Sequence, residues 1–112
     1  MTVSTRLPGA KYRRIFDRGR SVRGRLLVAW YLSDKDADRQ AGVVVSKKTF
    51  HDAVDRNRAK RLMREAFRLA VKDGAMPEAT DWIFVAKRGI AGKNVRETME
   101  EILWCARRSS RS

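Results

Sequence analysis

The chain is poor in the residues that build disulfides, metal sites and membrane spans. Its 112 residues include one cysteine, Cys105, and one histidine, His51, which excludes an intramolecular disulfide and a Cys/His metal cage made by this chain alone. The longest apolar run, residues 26–32, is far shorter than the roughly 20 residues that cross a bilayer. The first eleven residues lack the apolar segment of an export signal. We therefore expect a protein of the reducing cytoplasm with no membrane partner.

Acidic residues are few in relation to basic ones. Lys and Arg total 26 against 13 Asp and Glu, which gives a net charge of +13, and 18 of the 26 are arginines. Hydrophobic residues make up 43% of the chain, which is typical of a folded protein, and we expect one domain over residues 1–112. Because the planar guanidinium of arginine pairs with phosphate and stacks on bases, nucleic acid is the leading partner class.

Hydrophobic periodicity predicts six elements in the order α-β-β-α-β-α. The predicted elements are a helix at 12–18, strands at 26–32 and 42–45, a helix at 53–72, a strand at 82–86 and a last helix over 95–106. Residues 33–40 are polar and acidic, which favours an exposed hairpin loop between the first two strands. Asn94 and Glu97 have the spacing of a capping box at the start of the last helix. This order predicts a two-layer α/β sandwich.

The helix predicted at 53–72 has one apolar and one cationic face. At 100° per residue the apolar positions are Ala59, Leu62, Met63, Ala66 and Ala70, and the opposite positions are Asn57, Arg61, Arg64 and Arg68. Only Glu65 is acidic between Arg56 and Lys72. Like charges at this spacing repel one another, so a bound polyanion explains the face better than solvation alone. Gly74 and Pro77 are predicted to end the helix.

Two segments carry a resemblance to a known family. Residues 43–48, with sequence VVVSKK, and residues 56–68, with sequence RNRAKRLMREAFR, closely resemble the bacterial ribonuclease P protein subunit, and the likeness extends over nearly the whole chain. The resemblance implies a small mixed sheet with a left-handed βαβ crossover through the arginine-rich helix. It also implies a monomeric protein in a 1:1 complex with a catalytic RNA that removes 5′ leaders from precursor tRNA, with Mg²⁺ bound by the RNA and substrate.

The resemblance further assigns two sets of contact residues and no catalytic side chain. The expected contacts to the catalytic RNA are Arg56, Asn57, Arg58, Lys60, Arg61, Arg64 and Arg68. The expected contacts to the single-stranded leader are Tyr12, Phe16, Trp30, Ser46, Lys47 and Lys48. Aromatic rings that stack on bases and lysines that pair with phosphates suit this second task.

The residues alone leave several alternatives open. An aromatic pair at i and i+4 such as Tyr12 and Phe16 is more often part of a core than of a cleft, and Phe50 fits either an aromatic floor or the core. Asp52 and Asp55 suit helix capping better than metal binding. Two rival functions are a small structural ribosomal protein, which needs no aromatic cleft, and a nuclease acting alone, which needs an acid-base cluster that this sequence does not present.

Overall fold

A computed structural model describes residues 6–110 as three α-helices packed on one four-stranded sheet. In chain order the elements are α1 (Gly9–Arg18), β1 (Arg20–Arg23), β2 (Leu27–Ser33), β3 (Ala41–Val44), α2 (Ala53–Lys72), β4 (Thr80–Ala86) and α3 (Val95–Ser109), with a short 3-10 turn at Arg88–Ile90 before α3. The predicted mixed α/β class is confirmed. α2 has the predicted bounds, whereas α1 begins three residues earlier than predicted, directly after Pro8.

The strands lie side by side in the order β1-β2-β4-β3. β1 and β2 pair antiparallel, β2 and β4 pair antiparallel, and β3 and β4 pair parallel. The predicted hairpin across residues 33–40 is therefore wrong, because β4 lies between β2 and β3. β3, α2 and β4 form a βαβ unit in a mixed sheet, and the left hand of its crossover stays a prediction.

The short strand β1 was not predicted. It has the sequence RSVR, in which Val22 is the only apolar residue. An edge strand pairs on one side only and is often polar, so its sequence lacks the apolar run that marks an inner strand. The true hairpin of this fold joins β1 to β2 through residues 24–26.

α2 and α3 cover one face of the sheet and enclose the main core. The buried residues of α2 are Ala59, Met63, Ala66, Phe67 and Ala70, which confirms the predicted apolar face, with Leu62 half-buried beside it. The Phe67 ring packs on Phe84 of β4 with centroids 5.6 Å apart. β4 is buried at every position except the half-buried Val85, as expected for an inner strand whose residues 82–86 are all apolar.

Local end signals account for where the long helices stop and start. Gly74 has a φ of +73°, and the amides of Gly74 and Ala75 donate to the carbonyls of Val71 and Ala70, which closes α2 with a Schellman motif. The predicted capping box of Asn94 and Glu97 is confirmed at α3. Asp52 occupies the N-cap position of α2, as predicted. Its side chain makes no capping hydrogen bond, however, so the predicted capping interaction is absent.

Among residues 6–110, α1 is the helix that covers the opposite face of the sheet. Ile15 of α1, 1% exposed, packs against Ile83 of β4 and Leu7. The side chains around this contact are half-buried: Tyr12, Trp30, Leu32, Val44 and Val85. One ten-residue helix cannot cover four strands, so the described residues leave part of this face open. We call this part of the sheet the open face.

Candidate nucleic-acid interface

The cationic side of α2 is exposed as a continuous surface. Arg61, Arg64 and Arg68 are exposed one helical turn apart. With Arg6, Asn57, Lys60 and Glu65 they line a shallow groove of about 440 Å³. We call this surface the arginine face. Its exposed guanidinium groups are accessible to phosphate oxygens, which arginine binds with paired hydrogen bonds.

Glu65 pairs with one of these arginines. The Arg68 Nε and Nη2 atoms donate to the two carboxylate oxygens of Glu65 at 3.1 and 2.5 Å. Hydrogen bonds from Arg68 lower the pKa of Glu65, and the same pair raises the pKa of Arg68. Arg68 therefore carries a bound counter-charge in the free protein, whereas no ion pair of Arg61 or Arg64 occurs within residues 6–110.

The side chains of Arg56, Asn57 and Arg58, in the first turns of α2, have three different surroundings. The Arg56 guanidinium donates to the carbonyl oxygens of Phe50 and His51 at 3.0 and 2.8 Å, so it holds the preceding loop against the helix. Arg58 points away from the arginine face and lines a separate groove with Phe50 and Leu62. Asn57 alone of the three lies on the arginine face.

Aromatic side chains meet at the edge of the open face. The Phe16 ring of α1 contacts the Trp30 ring of β2 edge to face, with centroids 5.2 Å apart. Phe16 is 39% exposed, although its neighbour Ile15 is buried. An exposed aromatic ring beside a half-exposed indole provides a surface on which unpaired bases can stack.

Tyr12 lies closer to the sheet than Phe16. Its ring covers Gly42 of β3, where any Cβ atom would collide with the phenol. Gly42 is thus needed for the close approach of α1 to the sheet. Tyr12 remains half-buried, so it both packs and borders the open face.

An ion-pair network that the sequence did not reveal fixes α1 over the sheet. The Lys11 amine lies 3.0 Å from an oxygen of buried Asp81 and 3.2 Å from Asp38, and Arg14 pairs with Asp34. Asp81 also accepts from the amides of Asp38 and Gln40. Burial acts to lower the pKa of Lys11, but the hydrogen bonds that its amine donates to Asp81 and Asp38 outweigh burial and raise that pKa. These partners are distant in sequence, so no local pattern indicates them.

Ser46, Lys47 and Lys48 follow the end of β3 in a tight turn. The Ser46 hydroxyl accepts from the Thr49 amide at 3.2 Å and lies 2.9 Å from the Thr49 hydroxyl. Ser46 therefore shapes the turn, and the two lysines are exposed at its tip. They lie at the end of the sheet where β2 begins and β4 ends, beyond the half-buried Val44 and Val85 of the open face.

Several other candidates have structural positions. Phe50 packs against the main core, so of its two predicted positions, an aromatic floor or the core, the structure has the second. His51 is exposed. Cys105 is fully buried, and burial raises its pKa to about 12, so it is an unreactive core residue. Within residues 6–110 no group of three or more His, Cys, Asp or Glu side chains is placed to hold a metal ion. No described helix is long and apolar enough to cross a membrane.

Known proteins match this chain in sequence and in fold. A model of the ribonuclease P family matches residues 5–109. The ribonuclease P protein component of Pelotomaculum thermopropionicum is 37% identical over 98 residues, covering 88% of this chain and 85% of its own. That of Coxiella burnetii is 34% identical over 91 residues, covering 81% and 73%. The RNase P protein structure from Staphylococcus aureus has a TM-score of 0.75 at 28% identity, covering 96% of both chains. With a family match over almost its whole length, the chain belongs to the ribonuclease P family.

Proposed function

We propose that this chain binds the catalytic RNA of ribonuclease P through the arginine face and the 5′ leader of precursor tRNA through the open face. Ribonuclease P is an endoribonuclease that acts as a ribonucleoprotein, and the members of this family are its protein component in tRNA 5′ maturation. The division of labour between two surfaces is the part that we infer from the geometry.

The observation that carries the proposal is the exposed Phe16 ring against Trp30 on a sheet face that one helix leaves partly open. A core aromatic is enclosed on all sides, whereas this pair borders solvent. Lys47 and Lys48 at the end of β3 supply positive charge near the same face. Stacking and phosphate pairing together suit an unpaired strand.

The arginine face suits the folded catalytic RNA. Arg61 and Arg64 have exposed guanidinium groups without ion-pair partners among the described residues, and α2 presents them one turn apart on a rigid element. Such contacts position an RNA through its phosphates without selecting a sequence. Arg68 joins them when its guanidinium leaves the Glu65 carboxylate and pairs with a phosphate instead.

The protein contributes binding and the RNA contributes the chemistry. The described residues offer no carboxylate cluster that fits Mg²⁺, so we assign the metal to the catalytic RNA and its substrate and derive no step through this chain. Binding the leader raises the local concentration of precursor tRNA at the RNA site. The side chains proposed for this role do not touch the reacting bond.

We further propose one cytoplasmic protein monomer per catalytic RNA. The net charge of +13 makes copies of the free chain repel one another, and the RNA relieves that repulsion. Sedimentation of the reconstituted particle should give one protein for each RNA. A ratio of two would contradict this stoichiometry.

The proposal is tested by reconstituting the protein with a bacterial ribonuclease P RNA at low Mg²⁺. We expect the complex to bind precursor tRNA more tightly than mature tRNA, which lacks the leader. The RNA alone is the matched control. Equal binding of both tRNAs in the presence of protein would remove the leader-binding role and favour a structural RNA-binding protein such as a ribosomal one.

A further inference from the structure

The edge strand β1 adds side chains to the open face that the family resemblance does not assign. In its pairing with β2, Ser21 lies opposite Trp30 and Arg23 lies opposite Val28. Residues directly opposite one another in a sheet project from the same face. Trp30 and Val28 are half-exposed, and Trp30 packs with the α1 cluster. Ser21 and Arg23 therefore continue the open face by one strand.

The alternate residues of β1 confirm this orientation. Val22 pairs with Ala29 and packs against the main core under α2 and α3. Arg20 pairs with Tyr31, another residue of that core, and lines a small groove beside Ser109 of α3. Successive strand residues project to opposite faces, so Arg20 and Arg23 are exposed arginines of one strand on opposite sides of the sheet.

Arg23 is an exposed guanidinium that is available to an anion. It forms no ion pair within residues 6–110. Its end of the strand also borders a groove toward α3, where the three carboxylates of Glu97, Glu100 and Glu101 lie among the cations Arg25, Lys87, Lys93 and Arg107. Those charges largely balance one another, whereas the register of β1 places Arg23 on the side of Trp30, where a phosphate can supply its counter-charge.

Arg23 and the lysine pair stand at opposite margins of the open face. Lys47 and Lys48 follow β3 at one edge of the sheet, and Arg23 ends β1 at the other. Three strand spacings separate these edges, about 14 Å in all. Half-exposed Val44, Val85 and Val28 lie between them near the same end of the sheet.

We propose that Arg23 is a second phosphate contact for the precursor leader, so that the bound strand crosses all four strands from the lysine pair to β1. This inference rests on the proposed function, because it extends the same leader surface. It predicts that the protein senses leader nucleotides beyond those that reach Phe16 and Trp30.

The first experiment compares Arg23→Ala with Arg20→Ala in the reconstituted holoenzyme. The two variants remove the same charge from the same strand on opposite faces. Precursor tRNAs carry leaders lengthened one nucleotide at a time up to about ten. We expect Arg23→Ala to weaken binding of long-leader precursors about two- to fivefold and to lower the log-log salt slope by about 0.7. Arg20→Ala, short leaders and mature tRNA should show no change.

The outcomes separate this inference from the proposed function. Equal effects of the two variants, or no effect of Arg23→Ala, would overturn the contact. Equal weakening of precursor and mature tRNA would place Arg23 against the catalytic RNA and overturn it as well. If the unmodified protein itself fails to distinguish precursor from mature tRNA, the proposed function fails first. Thermal unfolding of both variants confirms that each remains folded.

A second experiment reads proximity without relying on affinity. Arg23→Cys and Arg20→Cys each add one exposed thiol to a chain whose own Cys105 is buried and unreactive. A benzophenone attached at position 23 should crosslink to the leader of bound precursor tRNA, and one attached at position 20 should not. Crosslinks from position 23 to the catalytic RNA alone would contradict the proposal.

Discussion

The arginine face and the open face, the two surfaces proposed to bind RNA, are built in different ways. The arginine face comes from α2, with Arg6 added from the segment before α1, and its groove is lined by charged and amide side chains. The open face is assembled from α1 and strands that are far apart in the chain, and its floor is aromatic and aliphatic. The first suits phosphates in a folded RNA, and the second suits bases of an unpaired strand. This difference is why the proposed function assigns the two RNA partners to separate surfaces of the protein.

The two surfaces should also respond differently to salt. Contacts to phosphate release counterions and weaken steeply as salt rises, whereas stacking on a ring does so much less. Variants in each surface therefore have distinguishable effects, and the following predictions use this difference in order of decreasing expected effect.

The largest effect should come from the anchor of α1. Ile15→Ala removes a fully buried side chain and should lower the free energy of unfolding by about 2 to 5 kcal/mol. Denaturant unfolding measures this loss. Ile102→Ala in the main core is the control, with a similar loss of stability. At a temperature where both remain folded, only Ile15→Ala should reduce the preference for precursor over mature tRNA, since only it loosens the open face. Equal reductions would show that the two surfaces are not independent.

Replacing the neighbouring aromatic should affect binding more than folding. Phe16→Ala should weaken precursor binding about five- to 150-fold, because stacking on one base contributes about 1 to 3 kcal/mol. Mature tRNA should bind as before, and unfolding should change little because Phe16 is 39% exposed. Affinities for both tRNAs and a thermal melt check this. A large loss of stability with equal weakening of both ligands would assign Phe16 to the core.

The arginine face should show the opposite selectivity. Changing Arg61, Arg64 and Arg68 together to Ala should weaken binding to the catalytic RNA about ten- to 100-fold, with the salt slope reduced by about 0.7 to 0.9 for each lost contact. The preference for precursor over mature tRNA should persist at saturating protein. Unchanged affinity and slope in a folded variant would contradict docking through this face.

The smallest effect should come from the counter-charge on that face. Glu65→Gln releases Arg68 from its carboxylate partner and should tighten binding to the catalytic RNA about two- to fivefold. Glu100→Gln is the matched control, since it removes the same charge from a helical pair with Arg96 on α3. Weaker binding by Glu65→Gln would mean that Glu65 orients Arg68 for phosphate and does not compete with it.

Local signals predicted the helices well. α2 was predicted with its observed bounds because its apolar stripe, its cationic face and the Gly74 end all depend on residues within a few positions of one another. The α3 capping box was predicted for the same reason. The β2–β3 hairpin was predicted wrongly because the loop composition was suitable, while the partner of each strand is β4. Strand pairing depends on distant segments, which no local window contains.

Prediction of the candidate site was also good where local signals sufficed and poor where distant segments decide. The sequence indicated both sets of contact residues through their resemblance to a family, but it did not separate Arg56, which holds a loop, from Arg61, which is exposed. It also did not distinguish buried Ile15 from exposed Phe16. In β2 every position from Leu27 to Leu32 is apolar, so alternation does not reveal which side chains line the open face.

By itself, the sequence determined the basic character of the protein, the amphipathic α2 with its arginine face and the family to which the chain belongs. The first two follow from composition and from residues three or four positions apart, whose relation a helix preserves, and the family follows from the resemblance carried by residues 43–48 and 56–68. Only the tertiary structure decided which sheet residues are half-exposed, how Lys11 and Asp81 hold α1 in place, and on which side Arg23 lies. The physical reason is that a sheet face is set by the register between strands, and one residue of register moves every side chain to the other side.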